Sequence, residues 1–187
     1  MMLFMAKGYQ STSVADILRE AGANSGSLYH AFPTKQDLLL AVLERYRKGI
    51  GPMLLDPAWQ GVEDPIERIF ALLARYRAGL EMTDCTYGCP IGSLALELHE
   101  PDPPVRALLA ANFDGWVAAI RDCLDAAADR LPADTDGEAL GQFVLTVMEG
   151  GVMQSRTHRT LHAFDASVRM LRDYFDRLQA AREGEKR

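Results

Sequence analysis

The chain has 187 residues, 48% of them hydrophobic and 25% charged, with a formal net charge of −6. That length fits one domain, or two small ones sharing an interface. The acidic total excludes a protein that coats nucleic acid through general positive charge.

The charge is uneven. Residues 1–48 carry six basic and four acidic side chains and the remainder fourteen and twenty-two, so a small end of net +2 is joined to a large end of net −8. Such asymmetry suits a DNA reader joined to a part that does not touch DNA. Cys85, Cys89 and Cys123 are too few and too irregular for a disulfide framework and read as reduced thiols of a cytoplasmic protein. The longest apolar run, Leu38–Leu43, is far below the ~18 residues that span a bilayer, so no membrane partner is expected.

In chain order, the apolar start Met1–Ala6 leads into Thr12–Phe32, the stretch around which the rest is arranged. Val14, Ile17, Leu18 and Ala21 recur at helical spacing. Thr12 or Ser13 caps the start of that helix and Gly22 supplies its left-handed end. Asn24 or Ser25 caps a second helix whose buried edge is Leu28 and Phe32. Helix, glycine-containing turn and helix form a helix-turn-helix. Its second helix leaves Ser25, Ser27, Tyr29 and His30 outward, side chains suited to phosphates and base edges. Thr34, with Asp37 three residues on, opens a third helix to about Lys48, with Lys35 in its first turn.

Thr12-Ser13-Val14 with Asp16-Ile17, Ala21-Gly22, Ser27-Leu28-Tyr29-His30, Phe32-Pro33 with Lys35, and Leu38-Leu39 together resemble the DNA-binding end of TetR-type bacterial transcription regulators, over about Gly8–Leu43. The resemblance implies an all-α protein with a helix-turn-helix DNA-binding domain over 1–48 and a helical ligand-binding and dimerisation body over 49–187. It implies double-stranded operator DNA as a partner, read by Thr12, Ser25, Ser27, Tyr29 and His30, with Lys35 on a phosphate. Two features depart from the family. The basic residue common at the position of Ser25 is absent. The first helix belongs mostly upstream of Lys7, so the natural chain is expected to begin before Met1 and this end to be the less stable one.

Beyond the reader, Gly49–Gly61 is a loop or broken helix, with Pro52 and Pro57. Asp64-Pro65 opens a helix with Ile66, Ile69, Phe70, Leu73, Tyr76 and Leu80 as its apolar stripe. Further helices are expected over Ile91–His99, Val105–Leu131, Glu138–His158 and Phe164–Ala181, followed by a frayed polar end from Arg182 to Arg187. Gly88-Cys89-Pro90, Leu94-Ala95-Leu96-Glu97 and Glu149-Gly150-Gly151 resemble the LmrA/YxaF-like branch of the family.

The resemblance also implies a small-molecule effector and a homodimer. Phe70, Tyr76, Met82, Phe113, Trp116, Phe143 and Met148 are candidates to line an apolar pocket, with Phe113, Trp116 and Glu149 taken as the ligand contacts. The family pairs its last two long helices with their copies, which assigns Gly150, Gly151, Gln154, His158 and Leu171 to the dimer interface. Cys85 and Cys89 lack the further ligands a metal needs, His158 and His162 read as surface histidines, and no metal or cofactor is assigned. Catalytic signatures are lacking: Gly88–Ser93 has no P-loop lysine, and no nucleophile elbow occurs. The rival readings are a helical carrier that has lost DNA binding, suggested by Ser25 and the short start, and an α-helical enzyme using Cys89 or a histidine with Glu149.

Overall fold

The computed structural model describes residues 1–185, and every regular element among them is helical. The α-helices are α1 Met2–Lys7, α2 Val14–Ala21, α3 Ser25–Ala31, α4 Lys35–Ile50, α5 Asp56–Trp59, α6 Pro65–Met82, α7 Pro90–Glu97, α8 Pro103–Ala126, α9 Gly137–His158 and α10 His162–Glu185.

Side-chain caps set their starts. The Ser13 hydroxyl accepts from the Asp16 N–H at 3.0 Å while the Asp16 carboxylate accepts from the Ser13 N–H at 3.1 Å, a capping box that satisfies two donors the helix cannot. Thr34 and Asp37 repeat the box at 3.1 and 2.9 Å. Asn24 Oδ1 accepts from the Ser27 N–H, Asp64 Oδ1 from those of Ile66 and Glu67, and Asp136 Oδ1 from that of Ala139. Ser13 rather than Thr12, and Asn24 rather than Ser25, therefore open the first two helices. Gly22 ends α2 at φ 59°, in the left-handed region.

Several boundaries differ from expectation. Between Gly49 and Gly61, α4 runs on into a π-helical turn, Gly51–Leu55, and then α5. Pro52 and Pro57 lack the N–H that an unbroken α-helical ladder needs, and the Asp56 N–H reaches back to Gly51 O, closing the wider turn. Pro103 and Pro104 open α8 rather than merely ending the preceding helix, because a first turn has no use for their missing donors. α8 stops at Ala126, and a tight turn over Ala128–Arg130 follows, begun by the Ala127 N–H reaching Leu124 O at 3.0 Å. α10 reaches Glu185, so the polar end is helical to that point, and Lys186 and Arg187 lie outside the described residues.

The chain divides into two compact units. One is Met1–Gly49 with Cys89–Asn112, the other Ile50–Gly88 with the chain from Phe113. A single cut after residue 48 thus misses that α7 and the first part of α8 group with the reader.

In the first unit Phe4, Leu39, Leu43, Ile91, Leu94, Val105 and Leu109 are buried. Asn112 is buried as well, and its amide donates to Leu43 O at 3.3 Å and Leu108 O at 2.8 Å. In the second, Ile66, Ile69, Leu72, Leu73, Leu80, Trp116, Ile120, Val144, Met148, Phe164, Leu171 and Phe175 form one continuous apolar core. Bidentate ion pairs orient its helices: Arg77 on Asp165 at 2.8 and 3.1 Å, and Arg172 on Glu67. Arg130 meets the second oxygen of Asp64 at 2.6 Å. Burial pushes the Asp64 carboxyl up, but Arg130 and the two capped N–H groups outweigh it and hold the group below its ordinary value.

Gly151 and its neighbour behave differently. A Cβ on Gly151 would lie 2.9 Å from Phe164 Cδ2 and 3.3 Å from Phe164 Cα, whereas one on Gly150 would meet nothing within 4 Å. Gly151→Ala is therefore expected to destabilise the chain by about 1–3 kcal/mol through overpacking. Gly150→Ala should stabilise it by up to about 1 kcal/mol through helix propensity. Thermal unfolding of the two variants checks this, and Gly151→Ala unfolding at or above the parent temperature would refute the close approach.

Candidate DNA-reading surface and body sites

Four of the six residues expected to meet DNA, Ser25, Ser27, Tyr29 and His30, lie on α3. Ser25, Ser27, Tyr29 and His30 are all exposed on α3, with Tyr29 half open to solvent at 50%. Leu28 and Phe32 are half-buried on its inner side. The helix is held at its start by Asn24 and at its end by the Phe32 N–H on Leu28 O at 2.7 Å.

Thr12 is a correction. Its side chain is 0% exposed, and its hydroxyl donates to Gly8 O at 2.6 Å. The hydroxyl closes the loop after α1 from inside and presents nothing to a duplex. The sequence signal that Thr12 and Ser13 both suit a cap left the two open, and the inside position took the first.

Lys35 lies in the first turn of α4. Its ammonium sits 4.2 Å from the centroid of the Tyr9 ring and 3.5 Å from Gln10 O. It thus faces a ring and a carbonyl rather than a carboxylate. Other cations of this unit are partly neutralised. Lys7 and Arg19 both reach Asp16, and Arg47 and Lys48 both reach Glu44, at 2.9 and 3.0 Å.

Hydrogen bonds from Ser13, aided by Lys7 and Arg19, hold the Asp16 carboxyl down at about 2, against an ordinary 3.8. A carboxyl depressed by folding contributes stability that is complete above its unfolded value and lost as pH falls through the folded one. The α2 start should therefore loosen between about pH 4 and pH 2. In Asp16→Asn, amide exchange at the start of α2 should be faster throughout and lose that pH dependence. A parent Asp16 carboxyl titrating near 3.8 by NMR would contradict it.

In the second unit, Trp116 is 3% exposed and its ring centroid is 5.2 Å from that of Tyr76. Its indole N–H is buried with no acceptor among the described residues. Phe113 and Glu149 are half-buried, and one Glu149 carboxylate oxygen is shielded from solvent. Phe70 and Met148 are core, but two of the other pocket candidates are not interior: Met82 is 83% exposed at the end of α6, and Phe143 stands outward on α9. Helical spacing alone could not separate those two faces.

The interface residues divide likewise. Gln154 and His158 are exposed and Gly150 is half-buried. Gly151 packs against Phe164 of its own chain and Leu171 is 1% exposed in its own core, so both are corrections. What α9 and α10 do expose is a different apolar set: Phe143, Met153, Met170 and Tyr174. The Phe143 and Tyr174 rings meet edge to face at 6.0 Å beside an open groove of about 1240 Å³. Met170 and Tyr174, spaced i, i+4 and one residue out of phase with Leu171, were the signal.

Residues 1–42 match the family model described as bacterial regulatory proteins, tetR family, and residues 65–171 match that described as tetracyclin repressor-like, C-terminal domain. The chain is 29% identical to the uncharacterized HTH-type transcriptional regulator YxaF of Bacillus subtilis over 157 residues, 84% of this chain and 81% of that one. Its fold is similar to that of a regulatory protein TetR from Rhodobacter sphaeroides, with a TM-score of 0.80 and 27% identity over 90% of each chain. It is also similar to a cysteine mutant of the regulator CifR, crystallised with a 26-bp double-strand operator DNA. There the TM-score is 0.74 and the identity 27%, over 91% of this chain and 90% of that one.

Proposed function

This chain belongs to the TetR family of bacterial regulatory proteins, and we propose that it is a cytoplasmic homodimeric repressor released from its operator by a small apolar or amphipathic ligand. It is a helix-turn-helix DNA-binding transcriptional regulator. The observation that carries the finer reading is α3, capped at both ends and exposing four hydrogen-bonding side chains on one short helix. Ser25, Ser27, Tyr29 and His30 read the major groove, and Lys35 meets a phosphate. The operator complex of CifR supports a double-stranded partner.

Two copies related by a two-fold axis would place their readers on half-sites centred about 34–36 Å apart, or a multiple of it, on a near-palindrome. The exposed apolar faces of α9 and α10, with Gly150, Gln154 and His158 beside them, are the surface proposed to pair. No helix among the described residues is long and apolar enough to cross a membrane.

Release works by population shift. A ligand lowers operator affinity by its preference for the arrangement that does not fit the two half-sites, and by no more than that. The buried, unsatisfied N–H of Trp116 supports a contact there with a ligand carrying an acceptor, and Phe113 and Glu149 are proposed to contribute to the same site. Trp59 and Trp116 are the only tryptophans, so in Trp59→Phe the emission reports on Trp116 alone. The experiment first selects a duplex from a random DNA pool, then screens small hydrophobic compounds for its release. An effector found so is expected to shift or quench Trp116 emission. Release of the duplex with that emission unchanged would move the ligand site elsewhere, and failure to select any duplex at low salt would favour a carrier that no longer binds DNA.

A further inference from the structure

We propose that Glu97, the last residue of α7, is a positioning residue for DNA binding: it pins the loop after α1 and so holds Lys35 in place for its phosphate. The inference rests on the reading of Lys35 as a phosphate contact.

One Glu97 oxygen accepts from the Tyr9 N–H at 2.8 Å and the other from the Gln10 N–H at 2.7 Å. Two successive backbone donors thus converge on one carboxylate, more than eighty residues away in sequence. Such charge-assisted bonds are short and strong. Gly8, at φ +80°, is what admits the carboxylate, since a Cβ there would lie 2.9 Å from Glu97 Oε1. The loop is therefore shaped around this side chain.

The same two residues anchor Lys35. The face of the Tyr9 ring lies under its ammonium, and Gln10 O accepts from it. The Tyr9 ring is itself braced at its edge by Phe4, at 5.4 Å. A free lysine spreads its charge over many rotamers, and fixing it demands fixed partners. Here both partners of the ammonium belong to residues whose N–H groups Glu97 holds. A ridge of contacts thus runs from α7 through Tyr9 and Gln10 to the proposed phosphate contact.

Simple electrostatics gives the opposite expectation. Glu97 is a negative charge on the DNA-binding unit, and its removal by itself should strengthen attraction to a polyanion. Positioning predicts weakening, and only while Lys35 is present.

The test measures binding to a mixed-sequence duplex of about 30 base pairs, long enough for two half-sites, by fluorescence anisotropy across a salt series. The proteins are the parent, Lys35→Ala, Glu97→Ala, Glu97→Gln and the Lys35→Ala/Glu97→Ala double variant. Lys35→Ala should weaken binding and lower the salt slope by about one per subunit. Glu97→Ala should weaken it about five- to tenfold, and the double variant should bind no more weakly than Lys35→Ala. Glu97→Gln, able to accept only one of the two N–H groups, should fall between parent and Glu97→Ala and show faster amide exchange at one of Tyr9 and Gln10. If Lys35→Ala binds like the parent, the phosphate reading falls and this inference with it. If Lys35→Ala weakens binding but Glu97→Ala binds equally or more tightly, the phosphate reading stands and the positioning role alone is overturned. An equal further loss from Glu97→Ala in the Lys35→Ala background overturns it too, since that is what general loosening of the unit would give.

Discussion

Replacing Tyr29 or His30 with alanine should weaken binding to the selected operator by about 1–3 kcal/mol for each well-made base interaction that the truncation removes, while leaving the fold of the second unit unchanged. Both side chains are exposed on α3, so truncation removes little packing, and Leu28 and Phe32 still seat the helix. The effect should be confined to the selected sequence, since base-edge contacts carry sequence information and phosphate contacts do not. Thr12→Ala makes the comparison sharp. Its hydroxyl is spent on Gly8 O inside the fold, so that variant should lower the unfolding temperature and weaken all duplexes alike. Anisotropy titrations against the selected and a scrambled duplex separate the cases. If Tyr29→Ala and His30→Ala both bind the selected duplex as tightly as the parent, α3 is not the reading helix.

The double variant Met170→Glu/Tyr174→Glu is expected to be monomeric and to lose operator affinity about 10²- to 10⁴-fold, the advantage that a second linked reader confers. Met170 is 63% exposed and Tyr174 stands beside Phe143, so carboxylates there are harmless in a lone chain and cost dearly once a partner removes them from water. Leu171 cannot serve this purpose, because it is 1% exposed and a charge there would unfold the chain itself. The same holds for Gly151, against which Phe164 is packed. Sedimentation velocity gives the answer, and an unchanged dimer would remove the α9 and α10 faces from the interface.

Much of the fold can be read locally. Ser13, Thr34 with Asp37, and Asp64-Pro65 mark helix starts because a cap needs only residues two or three apart, whereas the Asp136 cap of α9 emerges only in the structure. The helix-turn-helix is legible for the same reason, since Gly22 and the two flanking apolar stripes lie within about twenty residues of one another. What escapes depends on distant neighbours or on a phase error of one residue. Leu171 and Met170 differ by about 100° around α10, so a periodic pattern without a known axis assigns either to the core. Thr12 turns inward to donate to Gly8 O, and no spacing rule shows that. Glu97 stands out in the sequence only as part of a family-like stretch, because its partners are backbone N–H groups whose location the sequence does not display. The N–H of Trp116 marks it as a ligand candidate in the sequence, and burial without an acceptor is what the structure adds.

With α3 as the proposed reading helix and release by an effector as proposed, its chemistry has a consequence for how such a regulator searches a chromosome. Its outward side chains are two hydroxyls, a phenol and an imidazole, and most cations of its unit already lean on Asp16 or Glu44. A reader that neutralises few phosphates releases few counterions, so it holds random sequence only weakly and its affinity falls gently with salt. The millions of non-operator positions in a genome then sequester a smaller share of the molecules, and fewer copies per cell keep one operator filled. Such a protein gives up the fast electrostatic capture of strongly basic readers, and its response to an effector is correspondingly less masked by DNA it was never meant to occupy.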